Sequence, residues 1–218
     1  QRMRLAKKGG NECDVLLMSA TPIPRSMMLT FYGDMDISKI TEKPAKRKSV
    51  VTLSKPEEKM NELWPFIQKQ IKNENQIFWI CPLIEESKIL NYSSAIKRFD
   101  FIEKKFPKKV GLIHGALKKE DKENILKNFL NKKIDILVST SVIEVGVDFP
   151  NANLIIIENS NKFGLAQLHQ LRGRVGRGAD QSYCILMSSY KLSEDGKTRL
   201  ETMVRTNDGF EIGSYNYR

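Results

Sequence analysis

Residues 110 to 138 read VGLIHGALKKEDKENILKNFLNKKIDILV, with two apolar runs, Val110 to Ile113 and Ile134 to Val138 (the second interrupted by Asp135), on either side of one amphipathic segment. Within that segment Ile125, Leu126, Phe129 and Leu130 recur with the spacing of one helical face, which predicts a helix over about 118–130. Short runs of this kind suit strands buried on both faces, and a strand, a helix and a second strand in so few residues make a βαβ unit with parallel strands.

The same alternation extends in both directions. Val50 to Leu53, Ile77 to Ile80, Leu154 to Ile157 and Tyr183 to Met187 also read as buried strands. A helix is predicted over about 57–73 from Met60, Leu63, Trp64, Ile67 and Ile71, with Pro65 kinking it or marking a later start. Another is predicted over about 94–106, with Ile96, Phe99 and Phe106 inward and Ser93 or Ser94 as its cap. The expected class is α/β: a parallel sheet with helices on both faces, in which ligands gather at the carboxyl ends of strands.

Polar groups stand at such ends. His114-Gly115 follows the strand at 110–113, Ser139-Thr140-Ser141 follows the one at 134–138, and Ser19-Ala20-Thr21 follows an apolar run at Val15 to Met18. Hydroxyls and free helix-start amides there can grip phosphates, although each alone could equally cap the next helix.

Residues 170 to 177, Gln-Leu-Arg-Gly-Arg-Val-Gly-Arg, carry the densest chemistry. Only eleven of the 36 basic residues are Arg, yet Arg172, Arg174 and Arg177 fall within six positions, flanked by Gly173, Gly176 and Gly178. Arg used where Lys supplies charge elsewhere points to bidentate recognition of a phosphate-like group, with glycines admitting close backbone approach. If the preceding helix continues through the octet, Gln167, Gln170, Arg174 and Arg177 share one face and Leu165, Leu168 and Leu171 the other.

The net charge of +10 on 218 residues favours an anionic partner, nucleic acid first and a membrane surface second. No run approaches eighteen apolar residues, and Gln1 to Lys8 has no apolar stretch behind it, so a soluble cytoplasmic protein is expected. Cys13, Cys81 and Cys184 are odd in number and far apart, and His114 and His169 are the only histidines, so neither a disulfide framework nor a metal site is read; buried thiols are expected.

The spacing Gln-x-x-Gly-Arg-x-Gly-Arg matches the sixth motif of superfamily 2 helicases and translocases. Met18 to Arg25 (MSATPIPR) resembles the third motif of the RecG and Mfd translocases, and Val138 to Asp148 (VSTSVIEVGVD) their fifth. Gly164 to Gln170 (GLAQLHQ), Cys81 to Ser87 (CPLIEES) and Thr206 to Phe210 (TNDGF) resemble the RecG type specifically. The resemblance covers nearly the whole chain. It implies a RecA-like fold of the P-loop NTPase class, with 1–45 the end of a first lobe and linker, 46–190 the second helicase lobe, and 191–218 the start of a C-terminal translocation element.

It also implies residue roles. Gln170, Arg174 and Arg177 sense the γ-phosphate of ATP, Gly146 and Asp148 approach its ribose, Thr140, Ser141, His114 and Gly115 contact the DNA backbone, and Ser19 and Thr21 couple nucleotide state to DNA grip. ATP and Mg²⁺ are held mainly by the first lobe. The partners implied are branched DNA, forks and four-way junctions, and a single-stranded-DNA-binding protein, with ATP-driven remodelling of stalled forks and recombination intermediates as the activity.

Two departures bear on this. No Gly-x-x-x-x-Gly-Lys-[Ser/Thr] is present, and Gly196-Lys197-Thr198, which imitates its end, reads as a turn or helix cap because position 191 is Lys. The acidic box for Mg²⁺ is also missing, and Ser214 to Arg218 diverges from the family, so a fragment inactive on its own is expected. A non-catalytic RecA-like nucleic-acid-binding module and an Mfd-like transcription-coupled translocase are the alternatives.

Overall fold

The computed structural model describes residues 38, 48–82, 88–140, 149–178, 180–189, 191–209 and 211–212, with backbone alone over 88–92. The expected strand at Val15 to Met18, the Thr21-Pro22 helix start, the linker before Lys48 and Cys13 lie outside them.

Six parallel strands form one sheet. They are β1 (Val51–Pro56), β2 (Gln76–Ile80), β3 (Val110–Ile113), β4 (Ile136–Ser139), β5 (Ala152–Ile157) and β6 (Tyr183–Ser188), in the spatial order β1-β6-β5-β2-β4-β3. Side chains of the central strands alternate between two cores. Phe78, Ile80, Ile155, Ile157, Leu137 and Leu186 pack on one face, and Ile77, Trp79, Leu154, Ile156, Val138 and Met187 on the other. Burial on both faces explains why these strands are apolar throughout. Each fully buried Ile or Leu among them contributes about 1.5–3 kcal/mol.

Helices α1 (Trp64–Lys72) and α2 (Lys88–Lys105) cover the Trp79 face, where Trp64 stacks on Trp79 with ring centroids 5.7 Å apart. Helices α3 (Lys119–Leu130), α4 (Leu165–Arg172) and α5 (Glu194–Arg205) cover the Phe78 face. Cys81 and Cys184 are buried, as expected. Burial pushes both thiols up, that of Cys184 to about 12, so neither is a nucleophile at neutral pH.

Several expectations are corrected. Residues 57–63 form a 3-10 turn and the α-helix begins at Trp64, because Pro65 fits a first turn, where its missing N–H has no partner to lose. α2 starts at Lys88, so Ser93 and Ser94 lie inside it and do not cap it, and Ile96 is exposed. Leu130 is exposed too, at the last position of α3. Val51 and Leu53 are 41% and 42% exposed because β1 is the outermost strand, covered on one face only. The reading of Gly196-Lys197-Thr198 as a turn or helix cap holds, since Gly196 sits in the first turn of α5 and its N–H donates to the Ser193 hydroxyl at 3.1 Å.

Candidate functional site

The octet does not extend the helix that leads into it. α4 stops at Arg172, and the Arg174 N–H turns back to the Leu171 carbonyl at 3.0 Å. The expected single face of Gln167, Gln170, Arg174 and Arg177 is therefore not formed. Gly176 has φ +76°, in the left-handed region that a helix of L-residues cannot enter. Gln167 is also committed elsewhere, its side-chain oxygen accepting the Gly164 N–H at 3.0 Å at the start of α4. Gln170 remains exposed, one turn ahead of Arg174.

The glycines lay this loop flat across the beginnings of three strands. A Cβ on Gly178 would stand 2.6 Å from the Pro150 carbonyl oxygen, just before β5, and one on Gly176 would stand 3.0 Å from Val50, just before β1. Ser182, which opens β6, is the next neighbour of Gly176. Arg174, half-buried, and Arg177, exposed, border a shallow open hollow whose other described walls are Phe78, Ile80, Phe149, Ile155 and Leu171. Arg177 Nε donates to the Gly173 carbonyl at 3.4 Å, and Arg174 forms no ion pair among the described residues. Both guanidiniums thus border a hollow whose other described walls are apolar, with their planar forks available to a phosphate.

Arg172 plays a different part from its two neighbours. It is 3% exposed, and one terminal nitrogen donates to the Met203 carbonyl at 2.7 Å, the Thr206 carbonyl at 2.9 Å and the Thr52 hydroxyl at 3.2 Å. The other lies 3.3 Å from His169 Nδ1. Met203 and Thr206 stand at the carboxyl end of α5, whose last carbonyls have no partner within the helix. Burial lowers the proton affinity of this guanidinium, which stays charged, and the surrounding carbonyls satisfy its N–H groups. Reading three arginines as one phosphate cluster is corrected to two at the surface and one pinning α4 to α5 and β1.

The strand-end groups gather at the opposite edge of the sheet. In the register of β3 against β4, Ile113 faces Ser139, so His114-Gly115 and Thr140 are neighbours at the carboxyl ends. Thr140 is buried and its N–H donates to the Ile113 carbonyl at 3.2 Å, while Lys122 Nζ donates to the Gly115 carbonyl at 3.4 Å. The octet's loop lies at the amino ends instead, so one phosphate group cannot touch both sets: strands of four to six residues separate them by roughly 13–20 Å. Ser141, Gly146, Asp148, Ser19 and Thr21 lie outside the described residues.

Burial, aided by the Lys122 charge, holds His114 below the ordinary histidine pKa. The unfolded chain then binds a proton that the folded chain resists, so the stabilising contribution is complete above the ordinary value and is lost as pH falls through it. We expect denaturant midpoints to drop between pH 7.5 and 5.5, and His114→Asn to flatten that dependence. An equal pH dependence in the variant would show that other groups set it.

One cluster was not read from the sequence. Glu158, 7% exposed directly after β5, accepts from Trp79 Nε1 at 2.5 Å and from Arg98 of α2, whose Nε and terminal nitrogen lie 2.5 and 3.2 Å away. Arg98 also stacks 5.9 Å over the Trp79 ring. The signal was a carboxylate abruptly ending the run Leu154 to Ile157, which requires a buried partner.

The family model of the helicase conserved C-terminal domain matches residues 58–179. The whole chain is 47% identical to the ATP-dependent DNA helicase RecG of Thermotoga maritima, of which it covers 28%. Over 97% of its length it is 47% identical to the protein of the same name from Bacillus subtilis, covering 31% of it. Among solved structures, one described as RecG bound to a three-way DNA junction superposes with a TM-score of 0.80 at 44% identity, over 95% of this chain and 27% of that one. The chain thus spans under a third of the length of these relatives.

Proposed function

Because the chain belongs to the helicase conserved C-terminal domain family in its RecG-type form, we propose that it serves as the second motor lobe of an ATP-dependent DNA helicase that remodels stalled replication forks and branched recombination intermediates. In this reading residues 46–190 are the lobe, 1–45 end the first lobe, and 191–218 begin a translocation element. The observation that carries it is the pair Arg174 and Arg177, set on a glycine-floored loop at one edge of the sheet, while the hydroxyl and imidazole groups suited to a DNA backbone stand at the other.

ATP fits the first edge in chemistry. Two guanidiniums beside an apolar hollow, with Gln170 exposed one turn away, suit an anion presented by a facing lobe. The nucleotide supplies the bond whose cleavage drives movement. Arg174 and Arg177 neutralise the charge that develops on its terminal phosphate, and Gln170 senses the same group. Gly146 and Asp148 hold the ribose, Mg²⁺ is held by carboxylates of the first lobe, and Ser19 and Thr21 couple the two lobes. At the carboxyl edge Thr140, Ser141, His114 and Gly115 hold the DNA backbone without reading bases. Forks and four-way junctions are the substrates, a single-stranded-DNA-binding protein is a further partner, and the site of action is the cytoplasm. No helix among the described residues is long and apolar enough to cross a membrane.

The test is unwinding of a labelled fork by the longer protein, with and without ATP. Strand separation that needs ATP supports the reading, and ATP-independent or absent separation overturns it. The 218-residue chain by itself should show no ATP turnover above background, since arginines of this kind complete a site built elsewhere.

A further inference from the structure

Three turns precede three adjacent strands at the amino edge of the sheet, beyond the octet: residues 73–75 before β2, 106–109 before β3 and 131–135 before β4. They are tied to one another. The Asp135 and Ile136 N–H groups donate to the Lys109 carbonyl at 2.8 and 3.0 Å, Ile77 N–H donates to the Asp135 carbonyl at 2.9 Å, and Lys132 pairs with Glu74 at 2.8 Å. Each turn holds a charged residue in the left-handed region where glycine is favoured: Glu74 at φ 60°, Lys108 at 63° and Lys132 at 56°.

The charge here is one-sided. The last turns of α1, α2 and α3 supply Lys69, Lys72, Lys104, Lys105 and Lys127, all exposed. The turns add Lys108, Lys109, Lys132 and Lys133, also exposed. Against these nine stand Glu74, Asp135, which pairs with Lys109 at 3.1 Å, and Glu103, which accepts the Lys108 N–H at 2.7 Å.

Lysines at helix C-termini often do no more than balance the helix dipole. Three C-termini present about half a negative charge each, which takes up roughly 1.5 of the six surplus positive charges. Asp100, one turn back on α2, takes another. About three or four positive charges remain without a balancing carboxylate among the described residues, Lys105 resting over the Trp64 and Phe101 rings. The carboxyl edge beside His114 contrasts with this, since Lys118, Lys119 and Lys122 there face Glu120, Asp121 and Glu123.

We propose that this lysine edge is a second nucleic-acid contact, which grips the backbone of duplex DNA without base preference on the side of the sheet opposite His114 and Thr140. Neighbouring strands lie about 4.8 Å apart, so the three turns span about 10 Å. Duplex DNA carries one charge per roughly 1.7 Å of axis with both strands counted, or about 3.4 Å along one strand, so that span faces about three phosphates of one strand, commensurate with the three or four remaining charges. Lysines serve as point charges for phosphates, and the exposed amides of Asn73 and Asn131 can donate to the same oxygens. A duplex arrives already rigid, whereas an acidic peptide must lose chain entropy to lie along three turns, which favours the duplex.

The test combines Lys72→Gln, Lys104→Gln, Lys127→Gln and Lys133→Gln, which spares the paired Lys109 and Lys132, in the 218-residue chain and in the longer protein. Binding of a labelled duplex of arbitrary sequence is titrated at several salt concentrations, with unlabelled duplex and polyglutamate as competitors. The slope of log affinity against log salt should fall in magnitude by about 3 to 4, near 0.9 for each phosphate that is no longer neutralised, with affinity down at least about tenfold at 0.1 M salt and an unchanged melting temperature. Thr140→Ala should leave the lysine share of the slope intact. An unchanged slope overturns the proposal, as does displacement by polyglutamate at matched charge, which would assign the edge to an acidic protein segment. The readout is binding without ATP, so it stands or falls separately from the motor reading.

Discussion

Replacing Arg174 or Arg177 with Lys is expected to lower ATP turnover of the longer protein by roughly 10³-fold or more while leaving DNA affinity nearly unchanged. Lys keeps the charge but loses the planar fork, and Gly176 and Gly178 hold the loop that carries it close against Val50 and Pro150. The second half of the expectation follows from where the backbones stand, the octet's loop beside the starts of β1, β5 and β6 and His114 and Thr140 at the carboxyl ends of β3 and β4. Steady-state turnover and fork affinity measured on the same preparations check it. Turnover within about threefold of the parent would reduce the octet to a patch of charge.

Arg172→Met is expected to cost about 3 kcal/mol of stability, with melting lowered by roughly 6–12 °C. The substitution fills similar space but leaves the Met203 and Thr206 carbonyls without their donor, and a buried carbonyl stripped of its partner costs about 1–3 kcal/mol. Arg172→Lys should recover only part of this, since one ammonium cannot reach Thr52, the two carbonyls and His169 together. Denaturant unfolding monitored by far-ultraviolet dichroism gives the difference directly. A loss below about 1 kcal/mol would mean that water replaces the guanidinium and that α5 does not depend on it.

The six strands were legible in the sequence because each central one is apolar on both faces, and the limits predicted for β3 agree residue for residue with the fold. Edges and ends were not legible. Val51 and Leu53 look like core residues in a string of letters, and only the strand order reveals that β1 is outermost. The helix through the octet looked continuous because its leucines keep period, whereas Gly176 sets a backbone dihedral that periodicity cannot register. Three arginines in six positions looked alike, and their division rests on α5, which lies some thirty residues downstream and supplies the carbonyls around Arg172. The lysine edge was hidden for a similar reason: its members come from three turns far apart in the chain that the parallel sheet sets side by side.

The parallel sheet also has a mechanical meaning. Its strands are the stiffest path between the arginines and the strand-end hydroxyls, so the proposed lobe moves as a lever with a fixed arm of about 17 Å. Pivoting such an arm by about ten degrees at the amino edge sweeps its far end through about 3 Å, close to the 3.4 Å spacing of successive nucleotides along one strand. In the proposed motor, strand length would then relate a small rotation at the nucleotide edge to a displacement at the DNA edge of about one nucleotide.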